Sequence, residues 1–364
     1  MLTLFTFLGG MTFHSALSFK VGTSICHMGD QTKAKLRHHF ANLKVLIIDE
    51  VSMVGADMLY RIHLRLSQIL QMDEKRFLFG NINVILVGDL LQLPPVMGHQ
   101  VFSAPKTQEL KAFHDGLGEN AIWNQFQPMI LKQNHRQGEA KEWVNTLNRL
   151  REGIVTPEDE ALLRTRLTED EFLLEDALHI FYFNKYVTEH NYKMLAKLIG
   201  DLIACKAIQC LPKGRKPFID QNKETIGDTE FMETFRFKIG ARVMFVHNLD
   251  LMDDLFNGAG GTIVGAEYNA KGQVDCIVVT FDLKTCGVRQ RAKYYKKYPH
   301  LAKKYAACNG TPIFRHEHEY QLKTKHGKGS YAQAAQGKLV QFPLRLYYAS
   351  TAHKLQVIHL IDLI

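Results

Sequence analysis

The chain has 364 residues, 46% hydrophobic, 23% charged and 10% aromatic, which excludes a disordered, collagenous or fibrous protein and leaves room for about two domains. Lysine plus arginine total 45 against 37 acidic residues, a formal charge of +8; a moderately basic surface suits a polyanionic partner without demanding one. Six cysteines without a CxxC pair, and an N-terminal apolar stretch (Leu2–Leu8) too short for a bilayer and lacking a basic flank, predict a soluble intracellular protein with no disulfide scaffold, zinc site or signal peptide.

Along the chain, short apolar runs alternate with helical periodicity. Lys44–Ile48 (KVLII) reads as a strand ending in Asp49-Glu50, followed by a helix with Met58, Leu59, Ile62, Leu66, Ile69 and Leu70 at spacings of three and four. Val84–Val87 (VILV) reads as a second buried strand ending in Gly88-Asp89, and Pro128–Leu131 as a third. Glu139–Arg151 predicts a helix, and Thr156-Pro157 an N-cap with proline at the first helical position. Ile180–Phe183 precedes a helix running to about Ile199. This alternation predicts an α/β fold with a parallel sheet. After about residue 201 the pattern turns to strands: Ala241–Val246, Thr262–Val264 and Cys276–Phe281, with a turn at Gly258, Gly260 and Gly261. From Leu283 to His316 there is no acidic residue but nine Lys and Arg. Tyr294, Tyr295, Tyr298 and Tyr305 are interleaved with them, which suits either a DNA-contacting insertion that binds phosphates and stacks bases, or a solvated basic loop packed down by its tyrosines. His316 and His318 flank a glutamate, but no further ligand stands near them in sequence to complete a metal site.

Three places carry chemistry. In VLIIDE an apolar strand delivers Asp49 and Glu50 to the C-terminal edge of a parallel sheet, where α/β ligand sites lie. Such an Asp can hold Mg²⁺ against a nucleotide's phosphates and such a Glu can activate water, although strands often end in acidic residues for no catalytic reason. In VILVGDLLQLPPV a second strand exits into Gly88-Asp89, and Gln92 can hydrogen-bond a terminal phosphate or its attacking water; a strand followed by an ordinary proline turn is the plainer alternative. In LKQNHR, Arg136 can reach a γ-phosphate, or be a solvated arginine.

Taken together, VLIIDEVSMV, VILVGDLLQLPPV, LKQNHRQ, LNRLREG, FKIGARVMFVHNLD with NGAGGTIVG, and LRLYYASTAHKLQ occur in the order in which they stand in the Pif-type (petite integration frequency) DNA helicases of superfamily 1. The chain resembles that family from about Gly9 to Gln356, and its spacing, with QFPLRL before the last motif, is most similar to the helicase domain of Helitron transposons. The resemblance implies two RecA-like parallel-sheet domains: residues 1–130 as the first, 131–257 with 339–364 as the second, and 258–338 as a small β-rich basic insertion. It implies an ATP-dependent 5′→3′ DNA helicase acting on single-stranded and forked DNA with ATP and Mg²⁺, in DNA repair, recombination, telomere maintenance or transposon replication, and a nuclear (or also mitochondrial) location.

It also implies residue roles. Asp49 binds Mg²⁺, Glu50 activates water, Gln92 senses the γ-phosphate and Arg136 is an arginine finger; Gly88 and Asp89 complete the nucleotide site. GMTFHS (Gly10–Ser15) resembles the family's GGTTIHS segment, so Thr12, His14 and Ser15 are expected to touch single-stranded DNA. STAHKLQ resembles TIHKSQG, so Thr351, His353, Lys354 and Gln356 are expected to line the DNA channel. Two departures stand out: residues 1–364 contain no GxxxxGK followed by Ser or Thr, and no ALSR-type final motif with its second arginine. Because a phosphate loop supplies most of the positive cradle for β- and γ-phosphates, the alternative expectation is a helicase-derived fragment that binds DNA without turning over ATP.

Overall fold

The computed structural model describes residues 12–19, 28–95, 98–133, 135, 140–167, 177–211, 225–226, 229–321 and 336–356. The chain divides into two compact units, residues 1–169 and 170–364. The division lies at 169, beyond the 130 expected for the first domain, because the two helices after residue 140 pack within the first unit.

The first unit runs α1 (Phe13–Ala16), α2 (Asp30–Phe40), β1 (Val45–Ile48), α3 (Ala56–Leu70), β2 (Asn83–Leu86), α4 (Gln108–Leu117), α5 (Lys141–Arg151) and α6 (Pro157–Arg164). The apolar spacing read from the sequence is the buried stripe of α3: Leu59, Ile62, Leu66 and Ile69 are fully buried with Val51, Val54, Leu110 and Ile122 around them. β1 and β2 pair in parallel, Val45 to Asn83 through Ile48 to Leu86. Leu46, Ile48, Val84 and Leu86 pack toward that core. The opposite face, Val45, Ile47, Ile85 and Val87, is 37–48% exposed, so these strands are half-buried where two-sided burial was expected; no helix among the described residues covers that side. Pro128–Leu131, expected as a strand, pairs with nothing among the described residues, and Met129, Ile130 and Leu131 are 80–88% exposed. A strand needs a neighbour to satisfy its backbone, and the described residues offer none.

At α6 the predicted cap is present in full. The Thr156 hydroxyl accepts from the Asp159 N–H and the Asp159 carboxylate accepts from the Thr156 N–H, with Pro157 at the first turn. Asp159 also accepts from the Thr146 hydroxyl (2.7 Å) and Arg149 Nε (2.8 Å), which ties α6 to α5.

The second unit comprises β3 (His179–Phe181), α7 (Asn184–Lys197), β4 (Ile203–Lys206), β5 (Ile208–Cys210), β6 (Thr234–Phe237), β7 (Arg242–Phe245), β8 (Gly260–Tyr268), β9 (Val274–Phe281), α8 (Val288–Lys297), α9 (Pro299–Tyr305), β10 (Thr311–Phe314), β11 (His316–Gln321), β12 (Gln336–Gln341), β13 (Leu344–Leu346), β14 (Ala349–Thr351) and α10 (Ala352–Gln356). Its main sheet is antiparallel in the order β10-β9-β8-β7-β13, a second sheet is β11-β12-β5, and β14 runs parallel to β3. Residues 258–338 therefore supply three strands of the main sheet and two helices, while β7 and β13 on either side complete that sheet. Gly260 and Gly261 lie inside β8 and not in a turn; a Cβ on Gly261 would sit 2.6 Å from the Thr280 carbonyl across the ladder. The core is Phe235, Phe237, Val243, Phe245, Ile263, Ile277, Val279, Phe342 and Leu344. Gln341, fully buried, donates to the carbonyls of Cys205 (2.8 Å) and Met232 (3.1 Å) and accepts from Phe342 N–H (2.9 Å), so the QFPLRL segment is a staple between sheets.

Candidate nucleotide and nucleic-acid site

The parallel register brings the two acidic strand tips level. Beyond the paired strands the ladder continues, with Val87 N–H donating to the Ile48 carbonyl (2.8 Å) and Val51 N–H to the Val87 carbonyl (3.0 Å). Asp49 and Glu50 thus leave β1 at the height where Gly88 and Asp89 leave β2, and both carboxylates of the first pair are partly buried. Glu50 turns the chain in a left-handed conformation (φ 50°, ψ 46°), uncommon for a non-glycine residue. This turn runs against Gly88, where φ is 145° and a Cβ would lie 2.7 Å from Val51 N and 3.2 Å from Glu50 Cα. Glycine at 88 is therefore a condition of the closeness of the two tips.

Asp89 is held on both oxygens. Oδ1 accepts from Leu91 N–H (3.1 Å), while Oδ2 accepts from Arg151 Nη1 (2.8 Å). Its carbonyl accepts from Gln92 N–H (3.0 Å), so Asp89 builds the turn that presents the exposed Gln92. After Pro94-Pro95 the chain returns to the start of α3, where Ala56 N–H donates to the His99 carbonyl (3.0 Å) and Gly55 bridges to Gln100. Arg151 is the residue that sequence reasoning missed. It ends α5, inside the LNRLREG segment, and Arg149, two residues earlier, takes Asp159 instead. Two arginines in one helical turn gave no signal for which aspartate each would find.

Mg²⁺ takes one or two carboxylates, waters and substrate phosphates in preference to a protein cage. The hard oxygens of Asp49 and Glu50 at the tip of β1 suit that mode, and no group of three His, Cys, Asp or Glu among the described residues forms a closed metal cage. Arg136 lies outside the described residues.

In the first unit Thr12 is buried and caps α1: its hydroxyl accepts from Ser15 N–H (3.2 Å). His14 is half-buried, and burial, then the Arg61 charge, pull its pKa below the ordinary value; Ser15 is exposed. In the second unit β14 is aligned on β3 with Thr351 opposite Phe181. Buried Asn191 of α7 anchors its start by accepting from the N–H groups of Tyr348 and Ala349 (2.8 and 2.9 Å). Lys354 follows, ion-paired to Glu230, with burial lowering its pKa. His353 meets the ring of Tyr182 edge-on at 6.5 Å. The backbone of Gln356 closes α10, and its side chain lies outside the described set. Thr12, His14 and Ser15 thus cluster in one unit and Thr351, His353 and Lys354 in the other.

His316 and His318 do share one side of β11, and a third imidazole, which sequence spacing did not reveal, joins them: His247 lies 4.7 and 5.2 Å from their ring centroids. Burial, reinforced by these two neighbours, lowers the His247 pKa to about 4.

The chain as a whole is similar to known proteins. The PIF1-like helicase family matches residues 4–160. Over that stretch the chain is similar to the PIF1-like helicases. The ATP-dependent DNA helicase PIF1 of Candida albicans is 29% identical over 273 residues, covering 71% of this chain and 28% of that protein. Pif1 of Campylobacter jejuni is 26% identical over 368 residues, covering 96% of this chain and 71% of that protein. Of the C. albicans and mouse PIF1 proteins this chain spans only 28% and 38%. Among solved structures, the crystal structure of Pif1 from C. albicans superimposes with a TM-score of 0.65 at 19% identity, covering 96% of this chain and 72% of that one. The Bacteroides Pif1 complex with ADP-AlF3 and single-stranded DNA gives 0.63 at 24% identity, covering 95% and 70%. The likeness establishes the α/β fold of the PIF1-like helicases, with its parallel strand pairs. No helix among the described residues is long and apolar enough to cross a membrane.

Proposed function

We propose that this chain is the motor region of an ATP-dependent PIF1-type DNA helicase, with ATP as substrate, Mg²⁺ as cofactor and single-stranded or forked DNA as track. The observation that carries the reading is the level placement of the Asp49-Glu50 and Gly88-Asp89 tips. In it Asp49 is the Mg²⁺ ligand. Bound Mg²⁺ neutralises charge on the triphosphate. Glu50 accepts a proton from the attacking water, Gln92 orients that water from the turn built by Asp89, and Arg151 is a positioning residue that fixes Asp89. Arg136 is assigned to the γ-phosphate. Thr12, His14, Ser15, Thr351, His353, Lys354 and Gln356 are assigned to the DNA strand, and the RecA-like domains to residues 1–130 and to 131–257 with 339–364. Nuclear action and membership of the Helitron-type branch, the latter supported by QFPLRL and motif spacing, complete the reading.

The test measures ATP hydrolysis with and without single-stranded DNA, in residues 1–364 and in the same chain joined to a family-type phosphate loop ahead of Met1. The joined form is expected to show DNA-stimulated turnover, reduced at least a hundredfold by Glu50→Gln, and residues 1–364 alone to bind DNA with little turnover. Turnover that ignores DNA, or survives Glu50→Gln, would contradict the reading.

A further inference from the structure

Between β9 and β10 the chain leaves the main sheet for α8 and α9, and α8 divides sharply by side. Gln290, Arg291, Tyr294 and Tyr295 turn inward. Gln290 Nε2 donates to the Pro312 carbonyl (2.9 Å), Arg291 Nη1 to the Asn309 carbonyl (2.7 Å) and the Tyr295 hydroxyl to the Gly310 carbonyl (2.6 Å). Tyr294 packs on Phe314 at 4.5 Å and runs parallel to Tyr298, while Leu301 and Tyr305 of α9 are buried on Cys276 and Val278. The tyrosines interleaved with the basic residues are thus the hydrophobic side of these helices, spent on holding them to the sheet.

The outer side of α8 carries Arg289, Lys293, Lys296 and Lys297, all exposed, with exposed Lys284 before it and exposed Lys303 on α9. Lys304 is paired with Glu267, but these six have no carboxylate partner among the described residues. Asp253, the acid nearest in role, is buried and occupied in accepting from the backbone N–H groups of Arg289 and Gln290 (2.7 and 2.8 Å). Like charges one helical turn apart cost about 0.2–0.5 kcal/mol per pair, and Arg289 stands in the first turn, where the helix dipole disfavours a cation. Lys296 and Lys297 suit the last turn of α8 and Lys303 that of α9; Arg289, in the first turn, is set against the dipole, and Lys293 is crowded by its neighbours one turn away. Rings of Tyr294 and Tyr298 support the ammonium groups of Lys293 and Lys297 at 5.6 and 5.1 Å and keep them at the surface.

We propose that the outer face of α8 and α9 is a second DNA-binding surface, which holds the phosphate backbone without reading or stacking bases. Four cations spread along about 12 Å of helix present a row of donors to successive phosphates. A lipid surface would require an apolar helix side free to insert, and here that side is already buried. The proposal uses none of the nucleotide-site residues and does not rest on the motor reading.

The experiment compares wild-type chain with the fourfold variant Arg289→Gln, Lys293→Gln, Lys296→Gln, Lys297→Gln by fluorescence anisotropy. Its probes are a labelled oligothymidine and an abasic strand of equal length, over a series of salt concentrations, with the thermal unfolding midpoint recorded for both proteins. The variant is expected to bind both strands at least tenfold more weakly at low salt. Its salt slope should be shallower by about 2 to 3, at roughly 0.7 for each phosphate no longer neutralised, and its unfolding midpoint equal or higher. Wild-type affinity and slope in the variant would overturn the proposal. So would a loss confined to the strand that has bases, or a loss of binding to anionic vesicles with DNA binding intact. ATP turnover is not read, so failure of the motor reading leaves this result interpretable.

Discussion

Gly88 is the smallest residue at the proposed nucleotide site and the one with least freedom to change. Its positive φ and the 2.7 Å approach of a hypothetical Cβ to Val51 N mean that Gly88→Ala must push the β1 tip away from the β2 tip. The expected cost is about 1–3 kcal/mol in the first unit, measured by urea denaturation, together with loss of nucleotide binding; an alanine variant of wild-type stability and affinity would contradict the geometry. A second residue sets a pH dependence. His63 is fully buried, and its Nδ1 accepts from Phe79 N–H at 2.9 Å. Burial lowers its pKa to about 4. An imidazole that resists protonation when folded, yet takes a proton near pH 6.5 when unfolded, stabilises the fold fully above pH 6.5 and loses that contribution as pH falls toward 4. The first unit should lose roughly 2–3 kcal/mol between pH 7.5 and 4.5 through this group, and His63→Gln, which keeps an acceptor, should flatten the decline. An equally steep decline in the variant would assign it to other groups.

At the scale of elements, what was legible in the sequence was whatever depends on neighbours in sequence. The α3 stripe, the Thr156-Pro157 cap and the acidic strand endings follow from local periodicity, hydrogen-bonding reach and proline geometry, and each stands in the structure. What escaped depends on distant chain. Pro128–Leu131 has strand composition but no partner strand among the described residues. The β1–β2 runs look buried on both sides because composition cannot report that one face lacks a cover. Asp89 looked like a phosphate-site residue, but nothing local showed that Arg151, 62 positions on, would hold it. The third histidine beside His316 and His318 likewise comes from another strand end. For the basic segment the charge count pointed to a polyanion, but only the packing of Tyr294, Tyr295 and Tyr305 separates phosphate binding from base stacking.

Across the whole molecule, family order and physical placement meet at one point. The motif series that resembles the PIF1-like helicases puts two acidic endings about forty residues apart, and the parallel register of β1 and β2 makes them adjoin. Each unit has its own core, and each holds part of the residue set assigned to DNA. The second unit adds the α8–α9 surface, a feature of charge and packing independent of the nucleotide site. The central claim is that the adjoining tips form a magnesium–nucleotide site through Asp49. Titration of a fluorescent ADP analogue into residues 1–364, with Mg²⁺ and with a chelator, in wild type and Asp49→Asn, tests it most directly. The account predicts binding that Mg²⁺ strengthens severalfold in wild type and leaves unchanged in Asp49→Asn; an equal response to Mg²⁺ in both proteins would contradict it.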